Sequence, residues 1–240
     1  ATVAIVPSSY EILRDKVPTG LPNLSQKQAI DNLYQSLSGK DLQLLPIIQV
    51  LSEHQEDYIF YRTDHHWTTL GAYYAYAAYC QAHGLSAIPW ETIPKETVPD
   101  FYGTYFSRAK LRSAQSDSIV FCDLPITSFE ADLEQYPGMY QESQFSKRDK
   151  YAAFLYGNHG LTTIRSDAGT GKKALVIKDS FANCFVPFLT QHYDEVTVVD
   201  LRYFRAGIST LLEQQSYDDL LILYNYLNFA EDTNFYRLNA

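Results

Sequence analysis

The sequence predicts an α/β fold with a mainly parallel central sheet, and three observations indicate this class. Apolar runs of strand length alternate with helical segments through the second half of the chain, as in successive βαβ units. The runs 174–177 and 220–224 are apolar at every position, which is typical of buried strands. The length of 240 residues is sufficient for one sizeable hydrophobic core.

In the first half of the chain, capping residues define two helices. A Ser-x-x-Gln capping box at Ser25–Gln28 begins the first helix, which Gly39 ends. Thr68 or Thr69 caps the second helix, which Gly84 ends. Apolar runs of strand length predict three strands, at residues 1–7, 44–51 and 58–61.

The second half continues the alternation after a segment of about 85–150. This segment is expected to be irregular because three prolines and a glycine interrupt its first part, and we interpret it as an insert in a single domain spanning residues 1–240. The strands predicted here are 118–124, 151–156, 173–177, 195–201 and 220–224. The helices predicted here are 181–191 and 206–215.

Composition and charge exclude several classes of protein. The 19 Lys and Arg residues against 28 Asp and Glu give a net charge of −9, which repels phosphate backbones, so nucleic acid is not an expected partner. The longest apolar runs fall short of the ~20 residues that span a bilayer. The 3 cysteines are too few and too scattered for a disulfide framework or a zinc knuckle. Because the chain begins directly in a strand, we expect a signal peptide or membrane anchor to precede it.

The junction at residues 61–68 places a carboxylate near an imidazole. Asp64 and His66 are two residues apart, so on an extended backbone both side chains point to one face and His65 points to the other. A carboxylate can fix the tautomer of a histidine that acts as a general base. In the structural alternative, Asp64 caps the following helix and His66 packs under Trp67.

The junction at residues 174–183 places a serine at the carboxyl edge of the sheet. The apolar strand ends in Lys178-Asp179-Ser180 and leads directly into a helix, so the Ser180 hydroxyl lies close to backbone N–H groups that can bind an oxyanion. Asp179 and Ser180 can also act simply as helix caps. Together the two junctions supply a Ser-His-Asp triad, which we interpret as Ser180, His66 and Asp64.

Further residues have the chemistry of a substrate-binding site. Asn158 can donate a side-chain hydrogen bond to an oxyanion, and Gly157 lets a substrate approach closely, although a simple glycine-rich turn has the same composition. The 20 tyrosines and 13 phenylalanines contribute most of a 15% aromatic content. Tyr102 and Tyr105 offer flat faces for stacking against sugar rings, with loop packing as the alternative.

These residues resemble the motifs of a known family. Asp64-His65-His66-Trp67 resembles the signature of the DHHW proteins, relatives of the alginate O-acetyltransferases within the SGNH hydrolase-like group. Asp179, Ser180 and Phe181 are similar to the later Gly-Asp-Ser-like turn, with Lys178 in the place of the usual glycine. The resemblance covers nearly the whole chain, and it implies a flavodoxin-like α/β/α sandwich whose motif order is permuted relative to ordinary SGNH esterases.

The resemblance also implies an activity. Ser180 is the expected nucleophile, His66 the base and Asp64 the orienting acid of an extracytoplasmic O-acetyltransferase or esterase that acts on polysaccharide through an acyl-serine intermediate. Trp67 is expected to contribute to substrate binding. The expected partners are a polysaccharide substrate and a membrane-bound O-acyltransferase as acyl donor, with no cofactor and no metal.

Two alternatives remain open. A metal-dependent hydrolase would use Asp64, His65, His66 and His159, but adjacent histidines on a strand point apart, which makes joint ligation awkward. The other alternative is a non-catalytic carbohydrate-binding or scaffold module of a polysaccharide-modification system, which the acidic surface and many aromatic residues also suit.

Overall fold

The computed structural model describes residues 1–20 and 22–239, and its elements alternate in the way the sequence predicts. In chain order the strands are β1 (Thr2–Val6), β2 (Gln43–Leu44), β3 (Lys95–Phe101), β4 (Asp117–Cys122), β5 (Ser128–Ala131), β6 (Glu134–Tyr136), β7 (Leu161–Arg165), β8 (Lys173–Lys178), β9 (Glu195–Val199) and β10 (Asp219–Asn225). The α-helices are α1 (Ser9–Ile12), α2 (Gln26–Leu37), α3 (Ile47–Glu53), α4 (Thr69–Ala82), α5 (Thr104–Ala109), α6 (Val186–Leu189), α7 (Ile208–Gln214) and α8 (Tyr226–Glu231).

The central sheet has the strand order β2-β1-β10-β8-β9-β7-β5-β6. The first five strands of this order pair in parallel, and β7, β5 and β6 extend the sheet by antiparallel pairing. Parallel strands end at the same edge, so the residues that follow β1, β8, β9 and β10 come together there. This carboxyl edge carries the candidate site.

Both faces of the sheet are covered, as the apolar strands predict. Along β8 the side chains alternate: Ala174 and Val176 join one apolar cluster, which includes residues of α4 and α6. Leu175 and Ile177 join a second cluster, which includes residues of α2 and α7. The fold is therefore an α/β/α sandwich around a mainly parallel sheet, and the predicted fold class is confirmed.

Helix starts follow the capping residues that the sequence offers. The Ser25 hydroxyl accepts a hydrogen bond from the Gln28 N–H at 3.2 Å, at the start of α2. The Thr68 hydroxyl accepts from the Gly71 N–H at 3.2 Å, at the start of α4. No helix among residues 1–20 and 22–239 combines the length and apolar character needed to cross a bilayer.

Three of the predicted strands take other conformations. Of the run 44–51, Leu44 pairs with β1 as the last residue of β2, and α3 begins after Pro46, because Ile47 and Leu51 bury one helical face. The run 58–61 forms one isolated bridge, between Phe60 and Trp67. The run 151–156 begins inside a 3-10 helix that Asp149 caps, and left-handed backbone at its end is incompatible with a strand.

The segment 85–150 is more ordered than expected. β3 and β4 pair antiparallel as a separate two-stranded sheet, and β5 and β6 lengthen the central sheet. The prolines that suggested irregular structure are compatible with these short strands because β3 belongs to a two-stranded sheet, where one side of each strand is unpaired. Several residues of this segment reach the candidate site, among them Gly103, Thr104 and Asp117.

Candidate active site

The three expected triad residues form one continuous hydrogen-bonded chain. His66 Nε2 lies 2.8 Å from Ser180 Oγ, and His66 Nδ1 lies 2.6 Å from Asp64 Oδ1. Because a carboxylate is acceptor-only, Nδ1 carries the proton and Nε2 presents its lone pair to the serine hydroxyl. Asp64 and His66 are buried and Ser180 is half-buried, so the Ser180 hydroxyl is the most accessible end of this hydrogen-bonded series.

The carboxyl edge of the sheet fixes Ser180. Asp179, completely buried, follows β8 and caps the next turn by accepting from the Phe181 N–H at 2.9 Å. Its second oxygen accepts from the Asn225 N–H at 2.8 Å and from Asn228 Nδ2 at 2.7 Å. These bonds tie the turn that carries Ser180 to the end of the neighbouring strand β10.

The segment before α4 is bent and not extended. Asp64 Oδ1 accepts from the His66 N–H at 3.0 Å, and this local turn brings the two side chains together. The buried carboxylate of Asp117 on β4 accepts from the N–H groups of Arg62 and Thr63 at 3.0 and 2.8 Å. Asp117 is a supporting residue that the sequence analysis missed, because nothing in the local pattern joins β4 to residues 62–63.

Trp67 was expected to contribute to substrate binding, but the structure buries its side chain. Its side chain is 0% exposed, and its indole N–H donates to the Phe181 carbonyl at 2.8 Å. The bend at residues 62–66 turns the ring into the core, where it links the histidine segment to the serine segment. Trp67 is therefore a structural support for the triad.

His65 also differs from the expectation that it points away. Its ring centroid lies 3.8 Å from that of His66, and its Nδ1 lies 2.7 Å from the Thr104 hydroxyl. With Asp64, the two histidines form a cluster whose potential ligand atoms all lie within 4.8 Å of one another. Both nitrogens of His66 already have hydrogen-bond partners, so a metal ion would have to displace Asp64 or Ser180. His159, the fourth residue of that alternative, is paired with Asp132 at 3.0 Å.

Tyr151 holds both His66 and Ser180, and the sequence analysis gave it no role. Its ring stacks on the imidazole of His66 with centroids 3.8 Å apart and planes 9° from parallel. Its hydroxyl donates to the Ser180 carbonyl at 2.9 Å. Only the folded arrangement shows this role, because Tyr151 is one of many tyrosines in the sequence.

Lys178, at the end of β8, belongs to a buried polar network. Its ammonium group donates to Asn158 Oδ1 and to Asn183 Oδ1, both at 2.8 Å, and lies 3.5 Å from Asp200 Oδ2. An ammonium group has no acceptor, so it fixes the amide of Asn158 with its oxygen inward and its NH₂ outward. Gly157 precedes this amide with φ of 95°, a conformation that favours glycine.

Backbone donors near Ser180 are partly occupied. The Phe181 N–H binds the Asp179 carboxylate, and the Ala182 N–H binds the Asp179 carbonyl at 3.2 Å. The NH₂ of the exposed Asn158 is a further candidate for binding an oxyanion.

Burial and hydrogen bonding set the charge states of the site. Burial raises the pKa of Asp64, but hydrogen bonds to His65 and His66 outweigh it and lower that pKa below its usual range. Burial lowers the pKa of His66 to about 4, against the opposing attraction of Asp64. Burial likewise lowers the pKa of Lys178 to about 8, against the attraction of Asp200. At neutral pH, Asp64 is therefore a carboxylate and His66 a neutral imidazole.

The two tyrosines expected to stack on sugar differ in position. Tyr105 on α5 is 38% exposed, and its ring centroid lies 6.4 Å from that of His65. Tyr102 is half-buried, and its ring packs against Phe106 with centroids 4.5 Å apart. Tyr105 is thus near the triad with a free face, whereas Tyr102 has the loop-packing contact of the alternative.

The fold and these contacts define an α/β protein with a serine-histidine-aspartate chain at the carboxyl edge of its sheet. The family model described as DHHW protein matches residues 1–199, and the chain belongs to that family. No curated protein matches its sequence.

Solved structures of similar fold cover almost all of the chain. A DHHW family protein from Eubacterium siraeum DSM 15702 matches with a TM-score of 0.86 and 23% identity over 99% of this chain and 81% of that one. Bacillus cereus PatB1 with a sulfonyl adduct matches with a TM-score of 0.81 and 19% identity over 96% and 82%. The O-acetyltransferase domain of Pseudomonas putida AlgJ matches with a TM-score of 0.56 and 14% identity over 96% and 76%. At these identities the likeness establishes the fold.

Proposed function

We propose that this protein is an extracytoplasmic O-acetyltransferase or acetylesterase that acts on polysaccharide through an acetyl-serine intermediate. The observation that carries the proposal is the chain from Ser180 Oγ through His66 to Asp64, with links of 2.8 and 2.6 Å. Two similarities support it: AlgJ contributes an O-acetyltransferase domain of this fold, and PatB1 was solved with a sulfonyl adduct.

In the first step, Ser180 Oγ forms a bond to the acetyl carbonyl carbon while its proton moves to His66 Nε2. Asp64 stabilises the imidazolium that forms, and the NH₂ of Asn158 binds the developing oxyanion. When the intermediate collapses, the donor oxygen leaves with the proton from Nε2, and Ser180 retains the acetyl group.

In the second step, an acceptor hydroxyl gives its proton to His66 Nε2 and its oxygen attacks the carbonyl carbon of the acetyl-serine. The ester bond to Ser180 Oγ then breaks, and Oγ takes the proton back from Nε2. A sugar hydroxyl as acceptor gives O-acetylated polysaccharide, and water gives hydrolysis. We propose a membrane-bound O-acyltransferase as the partner that supplies the acetyl group.

A second candidate is a binding or scaffold module that retains the fold without turnover. The buried Tyr151 and Trp67 favour catalysis, because they hold the nucleophile and the base in reacting geometry.

The experiment is turnover of an acetylated reporter ester by the parent chain and by Ser180→Ala and His66→Ala. Both variants are expected to lose a factor of ~10³ or more in kcat/KM while thermal unfolding stays close to that of the parent chain. Near-parental turnover by Ser180→Ala contradicts the mechanism, and a parent chain that binds glycan without turnover favours the scaffold.

A further inference from the structure

A cleft of about 560 Å³ opens between the start of the chain and the segment that precedes Asp64. The residues of this cleft that matter here are Lys16, Tyr10, Tyr58, Tyr61, Arg62 and Tyr105, which we call the tyrosine cleft. None of them belongs to the triad, and only Tyr105 was expected to contact substrate.

We propose that the tyrosine cleft binds a stretch of glycan chain next to the sugar that reacts at Ser180. This inference rests on the proposed function, because it assigns the cleft to the same polysaccharide. Its occupant is a pyranose chain, whose apolar ring faces stack on tyrosine and whose oxygen substituents accept hydrogen bonds from cationic side chains.

Tyr105 connects the cleft to the histidines of the candidate site. The Tyr105 ring lies 6.4 Å from the His65 ring, which lies 3.8 Å from the His66 ring, measured between centroids. The cleft also includes Ser9 and Tyr10 of α1, which follow β1, and β1 is two strands from β8 in the sheet. Two strand spacings of about 4.8 Å place β1 roughly 10 Å from β8, the strand that Ser180 follows.

Aromatic faces and cations both reach the surface of the cleft. Tyr58 and Tyr105 are each 38% exposed, although large aromatic side chains are usually more buried. The exposed guanidinium of Arg62 lies 4.8 Å from the centre of the Tyr58 ring. An aromatic ring and a group of hydrogen-bond donors are therefore adjacent in the cleft. Lys16 adds a second exposed cation.

The tyrosine cleft is also preorganised. The Tyr58 hydroxyl donates to the buried Asp117, and the Tyr10 hydroxyl accepts from Gln26 Nε2 at 2.5 Å. Held rings lose little conformational entropy when a ligand binds. A larger cavity of about 990 Å³, between α1, α2 and α3, has a single aromatic residue, Tyr34, on its walls, so it suits stacking on sugar rings less.

The test is calorimetric binding to the Ser180→Ala variant, in which no chemistry can follow binding. Two probes separate neutral from acidic glycans: the hexamer of N-acetylglucosamine and the hexamer of galacturonic acid, each at low salt. We expect at least one of them to bind. Tyr105→Ala and Arg62→Gln, each added to Ser180→Ala, are expected to weaken that binding by about three- to tenfold.

Tyr236→Ala is the matched control, because Tyr236 is an exposed tyrosine that is not part of the cleft. It should bind the probe as tightly as Ser180→Ala alone. If neither hexamer binds, or if folded Tyr105→Ala and Arg62→Gln variants bind unchanged, the tyrosine cleft is not a glycan site. Should Tyr105→Ala fail to fold, the exposed Arg62→Gln decides. Reporter-ester turnover by Ser180→Ala tests the catalytic proposal separately, since binding in that variant does not depend on chemistry.

Discussion

Replacing Gly103 by alanine tests whether the position of the Asp64 carboxylate controls activity. A Cβ built on Gly103 would lie 2.2 Å from both Cβ and Oδ2 of Asp64, and 2.6 Å from its Cγ. Ordinary contacts between such atoms are about 3.5–4.0 Å, so the carboxylate or the backbone must move by more than about 1 Å. Such a displacement opens the 2.6 Å bond from His66 Nδ1 to Asp64.

A misplacement of about 1 Å in a catalytic group costs roughly 10²-fold, and we expect that loss in kcat/KM for Gly103→Ala. Overpacking also costs about 1–3 kcal/mol of stability, so thermal unfolding should be measured with the reporter-ester assay. Gly138→Ala is the matched control, because no atom lies within 4 Å of its added Cβ and its φ is not positive. A folded Gly103→Ala enzyme within about twofold of Gly138→Ala would refute the assigned role of Asp64.

Three further predictions concern the groups around His66. Tyr151→Phe keeps the ring stacked on His66 but loses the hydrogen bond to the Ser180 carbonyl. We expect kcat to fall about tenfold with KM little changed, and an unchanged kcat would contradict the positioning role of Tyr151. Lys178→Met removes a cation that lowers the pKa of His66, so the acid limb of the kcat/KM profile should move to higher pH; a limb that stays in place argues against this coupling. In the parent chain, burial lowers the pKa of His66 to about 4, so this base is neutral at neutral pH. We therefore expect kcat/KM to be level from neutral pH to about pH 5 and to fall only below it. A fall in kcat/KM with its midpoint near the ordinary histidine pKa would show that burial does not control this base.

The sequence pointed to Asp64, His66 and Ser180, but it did not point to Tyr151 and Asp117, which hold the site in place. Ser180 follows the parallel strand β8, as predicted, but the run 58–61 before Asp64 and His66 forms only an isolated bridge, so the rule on the carboxyl ends of parallel strands accounts for Ser180 alone. The two segments, 114 residues apart, meet in a hydrogen bond between His66 and Ser180 that this rule does not predict. The helix caps Ser25 and Thr68 could also be predicted from the sequence, because a cap depends only on residues within one helical turn.

The remaining features depend on contacts between distant segments. Tyr151 and Asp117 act on the site only because the chain between α4 and β7 folds back over it, and no local periodicity predicts this. The bend that turns Trp67 inward and places His65 beside His66 is held by bonds from backbone N–H groups to the Asp64 and Asp117 carboxylates, which compete with the extended conformation. The run 44–51 shows a related ambiguity, since eight mostly apolar residues can form a strand or a buried helix.

The most direct measurement is peptide mass mapping after treatment with phenylmethanesulfonyl fluoride, a reagent that captures activated hydroxyl groups. The mechanism predicts one sulfonyl group on the peptide that contains Ser180, and little or no labelling of that peptide in His66→Ala under the same conditions. An unmodified Ser180 in the parent chain, or equal labelling when His66 is replaced, would contradict the claim that this histidine activates this serine.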